Sequence, residues 1–249
     1  MVDTGNWKLE TGNWQLAPRP LIVAHRGARS VAPENTVEAF LRAGELGADG
    51  VELDVRLTVD GHLVVHHDAV IAGEATPINR LSLTELRRRH PAVPTLSEAM
   101  AACGDLWVDI EVKNNPTEPD WDPEDRAVQV AIEDVDRIGA RDRVLVSSFN
   151  LPTVDEARAA GLETGWLLPR SIEPLAAAGE WPGHPWVLAS TDAVRGAMAH
   201  EVVAAFRPLG IHVGIWTVND ADEMRRLARA GVSAIFTDDT ALAVTTLRG

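Results

Sequence analysis

The chain reads as an α/β protein closed into a (β/α)8 barrel, a TIM barrel, and three observations predict it. Eight short apolar runs are each followed by a helical pattern, the count a closed parallel barrel requires. The polar residues that can carry chemistry fall within those runs, at their C-terminal ends or just beyond, where barrel active sites lie. The length of 249 residues suits one such barrel. No low-complexity linker divides the chain, so residues 21–249 are expected to form one domain behind an arm at 1–20.

The first strand is expected at 21–25, where LIVA runs into His25-Arg26-Gly27. Near-continuous apolar runs suit parallel strands buried on both faces. A loop punctuated by Gly27 and Pro33 leads to a helix at 34–47, opening on Glu34-Asn35-Thr36. The second strand, 50–55, is followed by Asp60-Gly61 and another extended run at 62–66. An Asp-Gly pair between extended runs signals a hairpin, so 62–66 folds back beside the second strand as an extra one. A helix at 95–103 leads to the third barrel strand, 107–112, and a helix at 124–138. Strands at 143–148, 163–168, 186–190, 212–217 and 232–236 then alternate with helices at 152–159, 171–179, 196–208, 220–230 and 239–247. In the arm, Thr4-Gly5-Asn6-Trp7 recurs as Thr11-Gly12-Asn13-Trp14, too few copies for a solenoid. It reads as a surface arm or small cap whose tryptophans pack on the body.

Composition narrows the function. A net charge of −14 argues against nucleic acid or an anionic membrane surface as main partner, because each needs a basic face. It leaves room for an anionic small molecule, since a local Arg and a divalent ion can reverse the field in one cleft. Cys103 is the sole cysteine, so no internal disulfide and no multi-cysteine zinc site is expected. The N-terminus lacks a basic start followed by an apolar core, and no apolar run could span a bilayer. The expected address is the cytoplasm, without stable membrane insertion.

Candidate chemistry concentrates between His25 and Asp68. A strand projects alternate side chains to one face, so Glu52 and Asp54 point together, away from Val51, Leu53 and Val55. In Asp109-Ile110-Glu111-Val112-Lys113 the same alternation groups Asp109, Glu111 and Lys113. Glu52, Asp54 and Glu111 are hard-oxygen ligand candidates for one divalent cation, Mg2+ or Ca2+. The competing reading is an interior salt bridge in which Lys113 neutralises Glu111. His25 and His67 end two strands beside acids and Arg26, and suit acid–base work near neutral pH. Alternation sends His66 to the face opposite His67, so only one can face the centre. Arg26, by its fork, and Lys113, as a point charge, suit a phosphate. His62, His90, His184 and His200 read as loop or surface residues, and Asp60 and Asp68 as turn formers. Trp216 reads as core or as a platform for a small substrate, core being the default for a strand tryptophan.

Taken in order, HRGA at 25–28, PENT at 33–36, GADGVELDV at 47–55, T-x-DG at 58–61 and VVHHD at 64–68 resemble the glycerophosphodiester phosphodiesterase family. The resemblance continues through PTLSEAM at 94–100, DIEVK at 109–113, SSF at 147–149, WTVN at 216–219 and GVSAIFTDD at 231–239. It implies a metal-dependent barrel enzyme that splits a small glycerophosphodiester into glycerol 3-phosphate and an alcohol. By position it implies His25 and His67 as the base and acid pair, in either order, and Glu52, Asp54 and Glu111 as metal ligands. Arg26 and Lys113 would contact the phosphate, Trp216 would pack against the glycerol, and Glu34 and Asn35 would shape the adjoining loop. The implied chemistry has a glycerol hydroxyl attack phosphorus and expel the alcohol, after which water opens the cyclic phosphate. Two departures concern the substrate: the Asp-Arg-Thr-Thr stretch common after the His-Asp pair is absent, and 69–93 is short, a reduced insertion. A lysophospholipase D on the same scaffold would call for an apolar rim near 69–93. A non-catalytic phosphate-binding barrel would lack at least one of the two histidines or three acids, all of which are present.

Overall fold

The computed structural model describes residues 19–249, so the tryptophan repeat of the arm lies outside the described residues. After β1 (Leu21–His25) come helix α1 (Val37–Glu45) and β2 (Gly50–Leu57), which turns back into the short β3 (Leu63–Val65). Helices α2 (Leu83–Arg89) and α3 (Leu96–Cys103) lead to β4 (Trp107–Val112), and α4 (Arg126–Ile138) to β5 (Val144–Ser148). Then follow α5 (Leu151–Ala159), β6 (Glu163–Leu167), α6 (Pro174–Gly179), β7 (Trp186–Ser190), α7 (Met198–Phe206) and β8 (His212–Trp216). The chain ends with α8 (Ala221–Ala230), β9 (Ala234–Thr237) and α9 (Thr240–Arg248). All strands but β3 are parallel and close a ring, since β1 pairs with both β2 and β9. Strand β3 lies outside the ring, antiparallel to β2, as the Asp60-Gly61 turn predicts.

Two apolar layers between the ring and its helices hold the barrel, one under α1, α3 and α4 and one under α7, α8 and α9. Within the ring a third set, Val23, Trp107, Leu145, Trp186, Leu188 and Phe236, fills the centre. The Trp107 and Trp186 rings lie 5.7 Å apart. Gly50 makes room for them: a Cβ there would sit 2.8 Å from both the Trp107 ring and its carbonyl oxygen. Burying such side chains stabilises the fold by about 1.5–3 kcal/mol each. Towards the C-terminal ends of β2 and β4 the interior turns from apolar to acidic, and burial there costs rather than stabilises.

Helix α1 departs from expectation, and the fold adds two features that the sequence reading does not contain. Helix α1 starts at Val37 rather than 34, because Asn35 is left-handed (φ 56°) and the Thr36 hydroxyl caps the helix by accepting from the Ala39 amide. Segment 69–93 carries α2, opened by a capping box in which Ser82 and Glu85 satisfy each other's backbone amides. Its Ile71, Ile78, Leu81 and Leu86 form a small core against Val64. His184 does lie in a loop, just ahead of β7, but is 0% exposed. Its ring pairs with the Thr164 hydroxyl at 3.0 Å and with Asp155 at 3.3 Å, and burial pushes its pKa below the usual histidine range.

Cys103, at the end of α3, is buried, and burial pushes its thiol up to about 12. Only the thiolate attacks a disulfide reagent, and a shift of that size cuts its population on the order of 10³-fold at pH 8. A chromogenic disulfide reagent is therefore expected to titrate one thiol within minutes in denaturant and almost none in the folded protein. Equal rates in the two states would contradict this packing.

Candidate active site

Strand register assembles the site. His25 lies beside Glu52, Glu52 beside Asp109, and Asp54 beside Glu111, so alternation within each strand becomes a cluster across three of them. Glu52, Asp54 and Glu111, all buried, each offer a carboxylate oxygen, and the three oxygens lie within 4.8 Å of one another. Burial and then the charges of Asp54, Glu111 and Asp109 push the Glu52 carboxyl well above the usual carboxylate range. Burial also pushes Asp54 up, but Lys113 and Arg26 outweigh it and hold that group below the usual range. Lys113 Nζ stands 2.9 Å from Asp54 and 2.5 Å from Glu111, so the interior salt bridge weighed above is present. It stands beside the acid cluster rather than in place of it: the pairing reaches two of the three acids and leaves Glu52 unserved.

The loop after β1 is laced onto these acids. The Arg26 amide donates to Glu52 Oε2 at 2.8 Å, the Asn35 amide donates to the Arg26 carbonyl at 2.9 Å, and Asn35 Nδ2 donates to Asp54 Oδ2 at 2.8 Å. Arg26 takes a left-handed backbone (φ 58°), a conformation that costs a non-glycine residue about 1–3 kcal/mol. Gly27 continues the turn at φ 78°, and a Cβ on it would sit 2.7 Å from that of Ala39, so glycine alone fits against α1. The Arg26 guanidinium spans Asp54 at 3.3 Å and Glu34 at 2.9 Å, while Arg29 holds the other Glu34 oxygen at 2.8 Å. Glu34 and Asn35 are thus both bonded to Arg26 within this loop.

The two candidate histidines stand in different frames. His25 Nδ1 is 2.8 Å from Asp238 at the end of β9, and its Nε2 is 3.9 Å from Glu52. Asp238 is itself held by Asn219 Nδ2 at 2.7 Å and Arg29 at 3.5 Å. A carboxylate at Nδ1 keeps the proton there and leaves Nε2 as the nitrogen facing Glu52. His67 Nδ1 is 2.7 Å from Asp68, so Asp68 does more than shape its turn; hydrogen bonding to His67 lowers its pKa. His67 lines a cleft of about 370 Å3 together with Glu111, Lys113, Ser148, Phe149 and Arg170. His66 lies outside that lining and turns its Nδ1 back to the Asp68 carbonyl at 2.8 Å. Trp216, half-buried at the end of β8, packs edge-on against Phe149 and under the Arg170 guanidinium, at 5.7 and 5.9 Å.

Two residues around the acid cluster escape the sequence reading. Asp238 belongs to the right barrel face, but nothing in the sequence couples it to His25, 213 positions away. Arg56 continues the Glu52, Asp54 alternation along β2, a signal present in the sequence itself.

The model of the glycerophosphoryl diester phosphodiesterase family matches residues 25–242. A glycerophosphodiester phosphodiesterase of Caldanaerobacter subterraneus is 32% identical over 247 residues, covering 89% of this chain and 95% of that one. The crystal structure of a glycerophosphodiester phosphodiesterase from Thermotoga maritima superposes with a TM-score of 0.77 at 31% identity, over 91% of this chain and 97% of the other. An Oleispira antarctica phosphodiesterase, solved in complex with the product sn-glycerol-3-phosphate, shares the fold with a TM-score of 0.79 at 23% identity, over 92% and 96%. With the family's match running from His25 through the last barrel strand, the chain belongs to the glycerophosphoryl diester phosphodiesterase family.

Proposed function

We propose that the protein hydrolyses glycerophosphodiesters to glycerol 3-phosphate and an alcohol, with His25 and His67 moving the protons and a divalent cation at Glu52, Asp54 and Glu111. The observation that carries this reading is the convergence of the three acids beside the cleft that His67 and Lys113 line. The donor set fits a hard cation: it is all carboxylate oxygen, and Glu52 Oε1 is buried without a hydrogen-bond partner. Bound there, Mg2+ or Ca2+ would acidify a hydroxyl and neutralise phosphate charge. Arg26 and Lys113 bring positive charge to the equatorial phosphate oxygens, where it is worth most as charge develops. Of the two imidazoles, one takes the proton of the attacking hydroxyl and the other delivers one to the departing alcohol. Asp238 and Asp68 hold these rings by their Nδ1 atoms. Trp216 and Phe149 offer the glycerol backbone an apolar wall. The sn-glycerol-3-phosphate bound by the Oleispira protein is the product this reaction releases.

A lysophospholipase D is the weaker reading. The apolar side chains Ile71, Ile78, Leu81 and Leu86 of 69–93 pack inward, and none of the exposed large hydrophobic residues falls in that segment. No large apolar side chain is therefore exposed on that segment to receive an acyl chain. The test is a panel of glycerophosphocholine, glycerophosphoethanolamine and glycerophosphoglycerol, each with Mg2+, Ca2+ or EDTA, read as glycerol 3-phosphate released. Turnover with a divalent cation and none in EDTA is the expected result. Full turnover in EDTA overturns the metal, and no turnover of any headgroup overturns the substrate class.

A further inference from the structure

We propose that Arg56 is a positioning residue for His67, and that it couples the histidine to the wall of the substrate cleft. This rests on the proposed role of His67. Arg56 lies on β2 in the same alternating set as Glu52 and Asp54, and it is only 1% exposed. Its guanidinium is not spent on bracing the barrel. Nε and Nη2 both donate to the His67 carbonyl oxygen, at 2.8 and 2.5 Å. The guanidinium also reaches across to the loop after β4: the remaining nitrogen, Nη1, donates to Asp120 at 2.6 Å, and Nη2 also pairs with Glu118 at 2.6 Å. Glu118 and His67 line the same cleft. One buried cation therefore fastens the strand that carries two of the three acids, the turn that carries a histidine, and a loop that walls the site.

Geometry makes this an arginine's task. A guanidinium is a rigid planar fork that can grip one oxygen with two donors while its other edge binds carboxylates, whereas lysine presents a single flexible point charge. Glu118 and Asp120 supply the counter-charge that lets the fork stay buried. Lysine would retain the ion pairs but let the His67 turn pivot. A displacement of about 1 Å in a group that transfers a proton costs on the order of 10²-fold in rate.

The experiment is a double-mutant cycle on the metal-loaded enzyme with glycerophosphocholine, joining Arg56→Lys to His67→Ala, with folding checked by thermal melts. If Arg56 acts through His67, R56K lowers kcat tenfold or more with KM changed less than about threefold, and adds less than about twofold once His67 is alanine. Losses that multiply in full in the double variant, or a change in KM alone, overturn the proposal. Should R56K not fold, Arg56→Gln, which keeps one donor for the carbonyl, is taken through the same cycle with the same criteria. A second readout is independent of turnover: the His67 ring resonances, identified by their loss in H67A, are expected to shift or broaden in R56K. Unchanged resonances overturn the proposal. Full activity of H67A overturns instead the acid–base role of His67, and the resonances still decide whether Arg56 holds the turn.

Discussion

Replacing either histidine with alanine is expected to lower kcat for glycerophosphocholine by roughly 10²–10⁴-fold, the range that a positioned acid or base supplies. KM should move little, because neither ring is among the groups assigned to hold the phosphate. The two variants should differ in what else they lose. His67 is half-exposed, so H67A should melt close to wild type. His25 is more enclosed and faces Asp238; its loss leaves that carboxylate with Asn219 and Arg29 alone and should cost some stability as well. The pH profile then separates the roles. Loss of the general base removes the acidic limb of the rate profile, and loss of the general acid removes the basic limb. A glycerophosphodiester whose leaving group is p-nitrophenol needs no proton from the enzyme on departure. It should therefore restore most of the rate in the acid variant and little in the base variant. Full activity of either alanine variant on glycerophosphocholine would remove that histidine from the mechanism.

Much of this site is legible in the sequence because strands obey a period of two. Glu52 with Asp54, and Asp109 with Glu111 and Lys113, share faces by alternation alone, and the register of β2 against β4 then places Asp54 beside Glu111. The same rule separates His67, in the cleft lining, from His66, outside it. What the sequence conceals is closure. The contact between His25 and Asp238 joins the first and last strands of the ring, and no local pattern encodes which residue on one will meet which on the other. His184 was missed for a related reason: a histidine just ahead of a strand looks exposed until Thr164, Asp155 and Trp181 close around it. Helix α2 is a different case. Its signal, serine three residues before glutamate ahead of an apolar position, was present at Ser82 and Glu85 but is short enough to pass for loop.

Glu52→Gln is expected to abolish most activity and yet make the metal-free protein melt higher. Both halves follow from one carboxylate. Glu52 is 4% exposed; one oxygen accepts the Arg26 amide, while the other is buried without a hydrogen-bond partner and faces two more acids. Lys113 answers Asp54 and Glu111 directly, leaving the charge on Glu52 the worst compensated of the three. Glutamine keeps the shape and the bond from Arg26, removes the charge that burial disfavours, and can donate its amide to the neighbouring carboxylates. Each 1 kcal/mol recovered in this way raises the melting temperature of a chain this size by about 2–4 °C. With an ion present the order reverses. A cation that binds only the folded state stabilises wild type by about 2.7 kcal/mol at a hundred times its Kd, and a site short of one charged ligand gains far less. Loss of about 4 kcal/mol of charge stabilisation in the transition state corresponds to ~10³ in kcat. The measurement is paired melting curves of both proteins in EDTA and in Mg2+ or Ca2+, beside their turnover. If glutamine lowers the melting temperature in EDTA, or if the ion raises both proteins equally, Glu52 is a structural acid and not a metal ligand. If the two curves cross, the residue is a net cost to the metal-free fold, and the bound cation is what makes its charge favourable.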